Sequence, residues 1–212
     1  MIEAILPAGV VAVDFFHDPP DVKLFPEEER LIERAVDKRR REFTTGRHCA
    51  REALGKLGLP ASPLPSGPRG EPLWPAGVVG SITHCTGYRG AALGRLDQVR
   101  SIGIDAEPNA PLTGGVLDMV SLPEEREALR ALEASRPGVH WERLLFSAKE
   151  SVYKAWYPLA GRWLGFEDAV IDFDPGRGTF SARLLVDGPE GLEVFPGRWM
   201  AGRGLILTAV VL

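Results

Sequence analysis

The sequence predicts an α+β fold with helices and roughly three strands in each half of the chain. Three observations carry this. Helical spacing of apolar residues runs through residues 26–57 and again through residues 123–160. Short β-rich runs bounded by turn residues follow each helical region. The chain of 212 residues is long enough for one large core or two smaller ones. Two similar halves are suggested by this alternation, although no residue-level repeat is present.

Composition excludes several classes. Hydrophobic residues make up 44% and charged residues 25%, which is the profile of an ordinary globular protein rather than a disordered one. The formal net charge of −4 argues against general nucleic-acid binding. The 24 Gly and 18 Pro imply many turns and no collagen-like period. Cys49 and Cys85 have neither CxxC spacing nor a His cluster, so two buried free thiols in a reducing cytoplasm are expected. The apolar N-terminus, MIEAILPAGVVAVDFF, is interrupted by Glu3, Pro7 and Gly9 and is too short to span a bilayer. It reads as a buried strand with Val11 and Val13 on one face. No membrane association is expected.

Residues 26–43 open with Pro26 and then Glu27, Glu28 and Glu29, which suit the positive end of a helix dipole. Ile32, Val36 and Phe43, then Ala50, Leu54 and Leu57, continue the helical spacing, with Gly46 and its preceding threonines as the expected break. Residues 58–77 are rich in Pro and Gly and read as a long surface loop. Three strands follow in VVGSITHC, GYRGAALGRL and VRSIGIDAEP. Residues 107–120 are loop-like. PEEREALRAL and HWERLLFSAKESVYKAWYPL are helices, and AVIDFDP, TFSARLLV and LILTAVVL return to strand. The last of these is apolar throughout, as in a strand buried on both faces.

Four features could carry chemistry. In Ile102-Gly103-Ile104-Asp105-Ala106-Glu107, strand alternation puts Asp105 and Glu107 on one face, with Gly103 leaving room beside them. Such a carboxylate pair suits a hard cation such as Mg²⁺, though acids facing water at a strand end would look the same. Glu150 and Lys154 are i,i+4 on a helix, a pairing that stabilises exposed helices with no function at all. With Lys149 beside them and Trp141, Trp156 and Trp163 nearby, the cluster is better suited to a cleft. There Glu150 is a third metal ligand or a base, and the lysines meet phosphates. Lys38 to Arg41, Arg47, His48 and Arg51 form either a solvated basic face or a phosphate site. Ser81-Ile82-Thr83-His84-Cys85 places a histidine at a strand end beside small hydroxyls. Together these are parts for a Mg-dependent reaction on a phosphate ester.

The order SITHC, IGIDAE, FSAKESVYK and WLGFEDA resembles the Sfp/EntD-type 4′-phosphopantetheinyl transferases. The resemblance is greatest to their actinobacterial PptT-like members, through KRRREF, GRHCAR, GEPLWPAGVVGSITHCTGYRGA, GIDAEP and KAWYPL. It covers about residue 37 to the C-terminus. Phe146 stands where many members have Trp, and Ser151 where Ala is common; neither position carries chemistry. The resemblance implies two similar α/β halves forming a pseudo-dimer in one chain, residues 1–103 and 104–212, with the active site in the cleft between them. It also implies a reaction in which the phosphopantetheine arm of coenzyme A passes to a serine of an apo acyl or peptidyl carrier protein, releasing adenosine 3′,5′-bisphosphate. Such enzymes serve fatty-acid, polyketide, non-ribosomal peptide and siderophore synthesis.

Residue by residue, the resemblance implies that Asp105, Glu107 and Glu150 hold Mg²⁺, or Mn²⁺ in its place. Glu150 is also the base for the serine hydroxyl, directly or through a water on the metal. Lys149 and Lys154 meet the pyrophosphate, His84 and Thr83 the 3′-phosphate, and Arg39 and Arg47 the nucleotide end. Asp105 also takes part in the coenzyme A site. The loop Ser66-Gly67-Pro68-Arg69 lies against the adenine. A cytoplasmic monomer is expected. The competing readings are a Mg-dependent phosphotransferase or phosphohydrolase acting on a free nucleotide, and a non-catalytic coenzyme A-binding module.

Overall fold

The computed structural model describes residues 1–212, which form two compact units, Met1–Ile102 and Gly103–Leu212. Each unit has the same plan, an antiparallel sheet crossed by one 20-residue helix. No helix is long and apolar enough to cross a membrane.

In the first unit, Ile2–Ile5 form a single 3₁₀ turn, so the expected N-terminal strand is shorter than the apolar run. Strand β1 (Val10–Phe15) precedes helices α1 (Pro26–Leu31) and α2 (Asp37–Lys56), then strands β2 (Val78–Cys85) and β3 (Tyr88–Arg95). The sheet order is β1-β3-β2. Val10 and Ala12 are buried on one face of β1, while Val11 and Val13 pack toward the cluster of Ala50, Ala53 and Leu54 from α2. Gly87, at φ 78°, closes the β2–β3 turn in a conformation that favours glycine.

The basic helix breaks at residues 32–36 and not at Gly46. Val36 has extended backbone and is exposed, and Arg40 Nη1 donates to the Ile32 carbonyl at 2.6 Å, completing the end of α1. Gly46 lies inside α2 because a Cβ there would sit 3.0 Å from Ile82 Cγ2. The small residue brings helix and sheet together instead of interrupting the helix. Residues 58–77 form the expected loop, with Leu64 fully buried beneath it.

The second unit contains β4 (Ile102–Pro108, from its second residue), α3 (Val116–Val120), α4 (Pro123–Ser135) and α5 (Trp141–Ala160). It ends in β5 (Ala169–Asp174), β6 (Thr179–Leu184), β7 (Val194–Gly202) and β8 (Leu205–Val211). The sheet is five-stranded, ordered β4-β8-β7-β6-β5, so the expectation of about three strands per half holds only for the first unit. Strand β7 was hidden by Pro196 and Gly197, residues that normally demote a strand. Pro196 pairs with Ser181 of β6 just beyond the Gly197–Val210 end of the β8 ladder. A Cβ on Gly197 would lie 2.0 Å from the Phe180 ring, so glycine admits that ring. Helix α3 lies within the segment expected to be loop.

Helix α5 buries Leu144, Leu145, Ala148, Val152 and Ala155 against Phe180, Phe195, Trp199, Ile206 and Val210. Trp141 and Trp156 belong to this core, at 1% and 0% exposure; only Trp163 is exposed.

Candidate functional site

The second unit carries the acidic cluster. On β4, Ile102, Ile104 and Ala106 are buried on one face, leaving Gly103, Asp105 and Glu107 on the other. A Cβ on Gly103 would lie 1.9 Å from the Ser151 carbonyl oxygen and 2.6 Å from the Ala155 nitrogen. The space that Gly103 leaves is therefore filled by the backbone of α5, not held open for a ligand. This contact brings the helix onto the carboxylate face. Lys154 Nζ donates to Asp105 Oδ1 at 2.6 Å and to the Ile104 carbonyl at 3.1 Å.

Glu150 lies one helical turn before Lys154 and is half-buried. Burial pushes its carboxyl above the ordinary value and the charge of Asp105 adds to this, while Lys154 opposes both. Glu107 is pushed up to about 6, by burial first and then by Asp105, against the pull of Arg143. Arg143 donates through Nη1 to Glu107 Oε2 at 3.0 Å, through Nε to the Ala110 carbonyl and through Nη2 to the Pro111 carbonyl. Asp105 therefore acts electrostatically on both glutamates. The three carboxylates are balanced by Lys154 and Arg143, and no three His, Cys, Asp or Glu side chains close around one point. Arg143 escaped the sequence reading, although Arg143, Glu150 and Lys154 follow a 7-then-4 spacing that places them along one stripe of α5.

Lys149 is elsewhere. Its side chain is 3% exposed, and Nζ donates to Glu125 Oε2 and to the Phe166 carbonyl, both at 2.7 Å. Burial lowers its pKa and Glu125 partly restores it. Lys149 and Lys154, expected together on phosphate, have different partners in this structure, because residues five apart on a helix do not share a face. Glu125 is fully engaged too, accepting from the backbone of Leu122 and Ile171. Beside the Lys149–Glu150 turn is a pocket lined by Tyr153, Trp163, Leu164 and Phe166. Trp163 packs on Tyr153 with ring centroids 4.8 Å apart. Of the three expected tryptophans, Trp163 alone lines this pocket.

The first unit carries the basic cluster. Arg39 Nη1 lies 2.7 Å from His84 Nε2, and since arginine has only donors, His84 Nε2 accepts. The His84 N–H is thereby placed on Nδ1, which faces Glu42 Oε2 at 3.5 Å. Thr83 is buried at 2% exposure and, by strand alternation, points away from His84. The side chains of Thr83 and His84, expected together on phosphate, thus leave opposite faces of β2.

Arg47 is buried at 4% exposure beneath the Pro-rich loop, not on a solvated face. It lies over the Phe43 ring, donates through Nε to the Leu64 carbonyl at 3.1 Å, and through Nη2 to Ser66 Oγ at 3.0 Å. Burial lowers its pKa to about 10, with Glu28 opposing, so it stays charged at neutral pH. The loop beyond is a small hairpin closed by the Ser66–Pro72 bridge. Gly67 N–H donates to the Glu71 carbonyl, and a Cβ on Gly67 would meet the Glu71 carboxylate at 2.0 Å. Pro68 and Arg69 are exposed at its tip.

Comparison with known proteins gives two family matches along the chain. The 4′-phosphopantetheinyl transferase N-terminal domain matches residues 27–94, and the 4′-phosphopantetheinyl transferase superfamily matches residues 101–195. The chain is 59% identical to the 4′-phosphopantetheinyl transferase Svp of Streptomyces mobaraensis, over 99% of its own length and 88% of the relative's. It is 53% identical to Npt of Nocardia iowensis, over 99% of each chain. Against PptT of Mycobacterium tuberculosis it is 51% identical over 100% of this chain and 98% of the relative. With whole-length identity above half and both signature regions matched, the chain belongs to the 4′-phosphopantetheinyl transferase family.

Proposed function

We propose that this protein transfers the 4′-phosphopantetheine arm of coenzyme A to a serine of apo acyl and peptidyl carrier proteins. The observation that carries the reading is the acidic cluster on β4 and α5, where burial first, with the charge of Asp105 adding to it, raises the proton affinity of Glu107 and Glu150. Carboxylates that repel in this way are hard-oxygen donors suited to a divalent cation. Asp105, Glu107 and Glu150 are the residues that would hold Mg²⁺. Bound there, it would neutralise charge on the pyrophosphate.

The chain's own groups perform the rest. Glu150, with its raised proton affinity, accepts the proton of the carrier serine hydroxyl. The serine oxygen forms a bond to the β-phosphorus as the bond from that phosphorus to the bridging oxygen breaks. The bridging oxygen leaves with adenosine 3′,5′-bisphosphate, and Lys154 compensates its developing charge. Tyr153, Trp163, Leu164 and Phe166, beside Glu150, offer a surface suited to the uncharged arm. Arg39 and His84 suit the 3′-phosphate, and the loop Ser66–Arg69, held by Arg47, suits the adenine end. Two free buried thiols, Cys49 and Cys85, suit the reducing cytoplasm, where a monomer would act.

The test is mass spectrometry of an apo carrier incubated with the protein, coenzyme A and Mg²⁺. The carrier should gain about 340 Da, the arm left when the pyrophosphate splits. Release of adenosine bisphosphate without gain on the carrier would indicate a hydrolase instead. Glu150→Gln should slow transfer at least about 10²-fold.

A further inference from the structure

Glu28 has no exposed surface, and two of the three residues it binds, Arg51 and Leu64, lie far from it in sequence. Its carboxylate accepts from Phe25 N–H at 3.0 Å, from Arg51 Nη1 at 3.0 and 2.8 Å, and from Leu64 N–H at 3.1 Å. Arg51 donates its second terminal nitrogen to the Lys23 carbonyl. Leu64 is thus held from both sides. Its N–H meets the buried anion Glu28 and its carbonyl meets the buried cation Arg47, which is one turn before Arg51 on α2. Leu64 itself is fully buried, and two residues later Ser66 opens the hairpin whose tip is Pro68–Arg69.

A buried ion pair adds little stability over an apolar pair of the same shape, because desolvation offsets the attraction. What Glu28 and Arg51 provide beyond stability is a fixed position for a loop that has no helix and only one β-bridge of its own. A loop of this length otherwise samples many conformations. We propose that Glu28 and Arg51 are positioning residues for coenzyme A binding: through Leu64 they hold the Ser66–Arg69 loop in the shape that receives the nucleotide. The proposal rests on the reading that this loop meets the nucleotide end of coenzyme A.

The test uses the full chain carrying Glu28→Gln together with Arg51→Met, which removes both charges without leaving either buried alone. Three quantities are measured: amide hydrogen exchange across residues 62–73 without ligand, KM and kcat for coenzyme A, and the affinities for adenosine 3′,5′-bisphosphate and for free phosphopantetheine. Exchange should accelerate in residues 62–73. KM for coenzyme A and the dissociation constant for adenosine bisphosphate should each rise about tenfold, with kcat and phosphopantetheine affinity unchanged. Glu28→Asp, which keeps the charge but shortens the reach to Leu64, should move the same readouts in the same direction by less, and it decides the matter if the double variant does not fold. Wild-type adenosine bisphosphate affinity in the variants, or equal losses for both ligands, overturns the positioning role. Failure of the unmodified protein to bind adenosine bisphosphate, with transfer intact, overturns the loop assignment beneath it.

Discussion

Lys154 is tied to Asp105 and not to Glu150, the partner that helical spacing would give it. Nζ lies 2.6 Å from Asp105 Oδ1 and 3.1 Å from the Ile104 carbonyl, so the fourth turn of α5 is fastened to β4. The ammonium therefore has two duties. It stabilises a buried carboxylate, and under the proposed function it would also compensate the charge that develops on the pyrophosphate.

Lys154→Ala should consequently damage both stability and transfer. Asp105 is 5% exposed and, with Lys154 gone, would lose its 2.6 Å donor while still beside Glu107 and Glu150. A destabilisation of about 1–3 kcal/mol is expected from leaving such a group undercompensated. Pairing Lys154→Met with Asp105→Asn should restore the melting temperature while transfer stays at least about 10²-fold down. Melting and turnover measured on the same samples decide the point. An unchanged melting temperature in Lys154→Ala would mean that the pair contributes nothing to the fold.

Glu107 sets a pH dependence whose sign follows from its raised pKa of about 6 against the ordinary 4.5. The folded state holds this proton more tightly than the unfolded chain, so protonated Glu107 favours folding. Its contribution is full below about pH 4.5 and is lost as pH rises toward 6. In Glu107→Gln that part of the decline should vanish from the stability profile. Divalent cations bind the ionised carboxylates, so Mg²⁺ should raise the wild-type melting temperature more near pH 7.5 than near pH 5. Equal Mg²⁺ shifts at the two values, or none at either, would remove Glu107 from the cation site.

Much of this was legible from alternation alone. The period of two in IGIDAE put Asp105 and Glu107 on one face, and the apolar run at the C-terminus announced a strand buried on both sides. What the sequence could not show was which partner each charge would take. Lys149 and Lys154 look equivalent in AKESVYK, but residues five apart on α5 diverge, one toward Glu125 and the other toward Asp105. Glycine misled in a consistent way. Gly46 and Gly103 read as a break and as open room, yet each, like Gly197, is a place where another element packs closely against the missing Cβ. Such contacts are between residues distant in sequence, so no local pattern records them.

Discrimination for the 3′-phosphate should reside in Arg39. Its guanidinium is in contact with His84, whereas Arg47 is buried under the loop it supports. Charged hydrogen bonds of this type contribute about 1.5–3 kcal/mol each, enough for coenzyme A to bind at least tenfold more tightly than dephospho-coenzyme A. Arg39→Ala should erase most of that preference with little effect on the dephospho form. Arg47→Ala should weaken both ligands together and lower the melting temperature. Calorimetric titration of the two ligands against the three proteins separates the cases. A preference lost in Arg47→Ala alone would return the phosphate to Arg47.

The Lys149–Glu125 pair offers the sharpest contrast between a structural and a catalytic lysine. Both side chains are almost wholly buried, at 3% and 1% exposure, and Glu125 also accepts the Leu122 and Ile171 N–H groups. Lys149→Met strands that carboxylate, and breaking a buried pair from one side costs about 3–5 kcal/mol. Adding Glu125→Gln removes the stranded charge but keeps an acceptor for only one of the two backbone donors, which meet different carboxylate oxygens, so part of the lost stability should return. If Lys149 acts only by joining α5 to α4 and to Phe166, transfer returns with it, and kcat of the double variant lies near that of the wild type below the melting transition. If instead Lys149 reaches the pyrophosphate, the double variant regains that stability yet remains slow. Melting and kcat recover together in the first case and separate in the second; the 2.7 Å contacts of Nζ with Glu125 and Phe166 favour joint recovery.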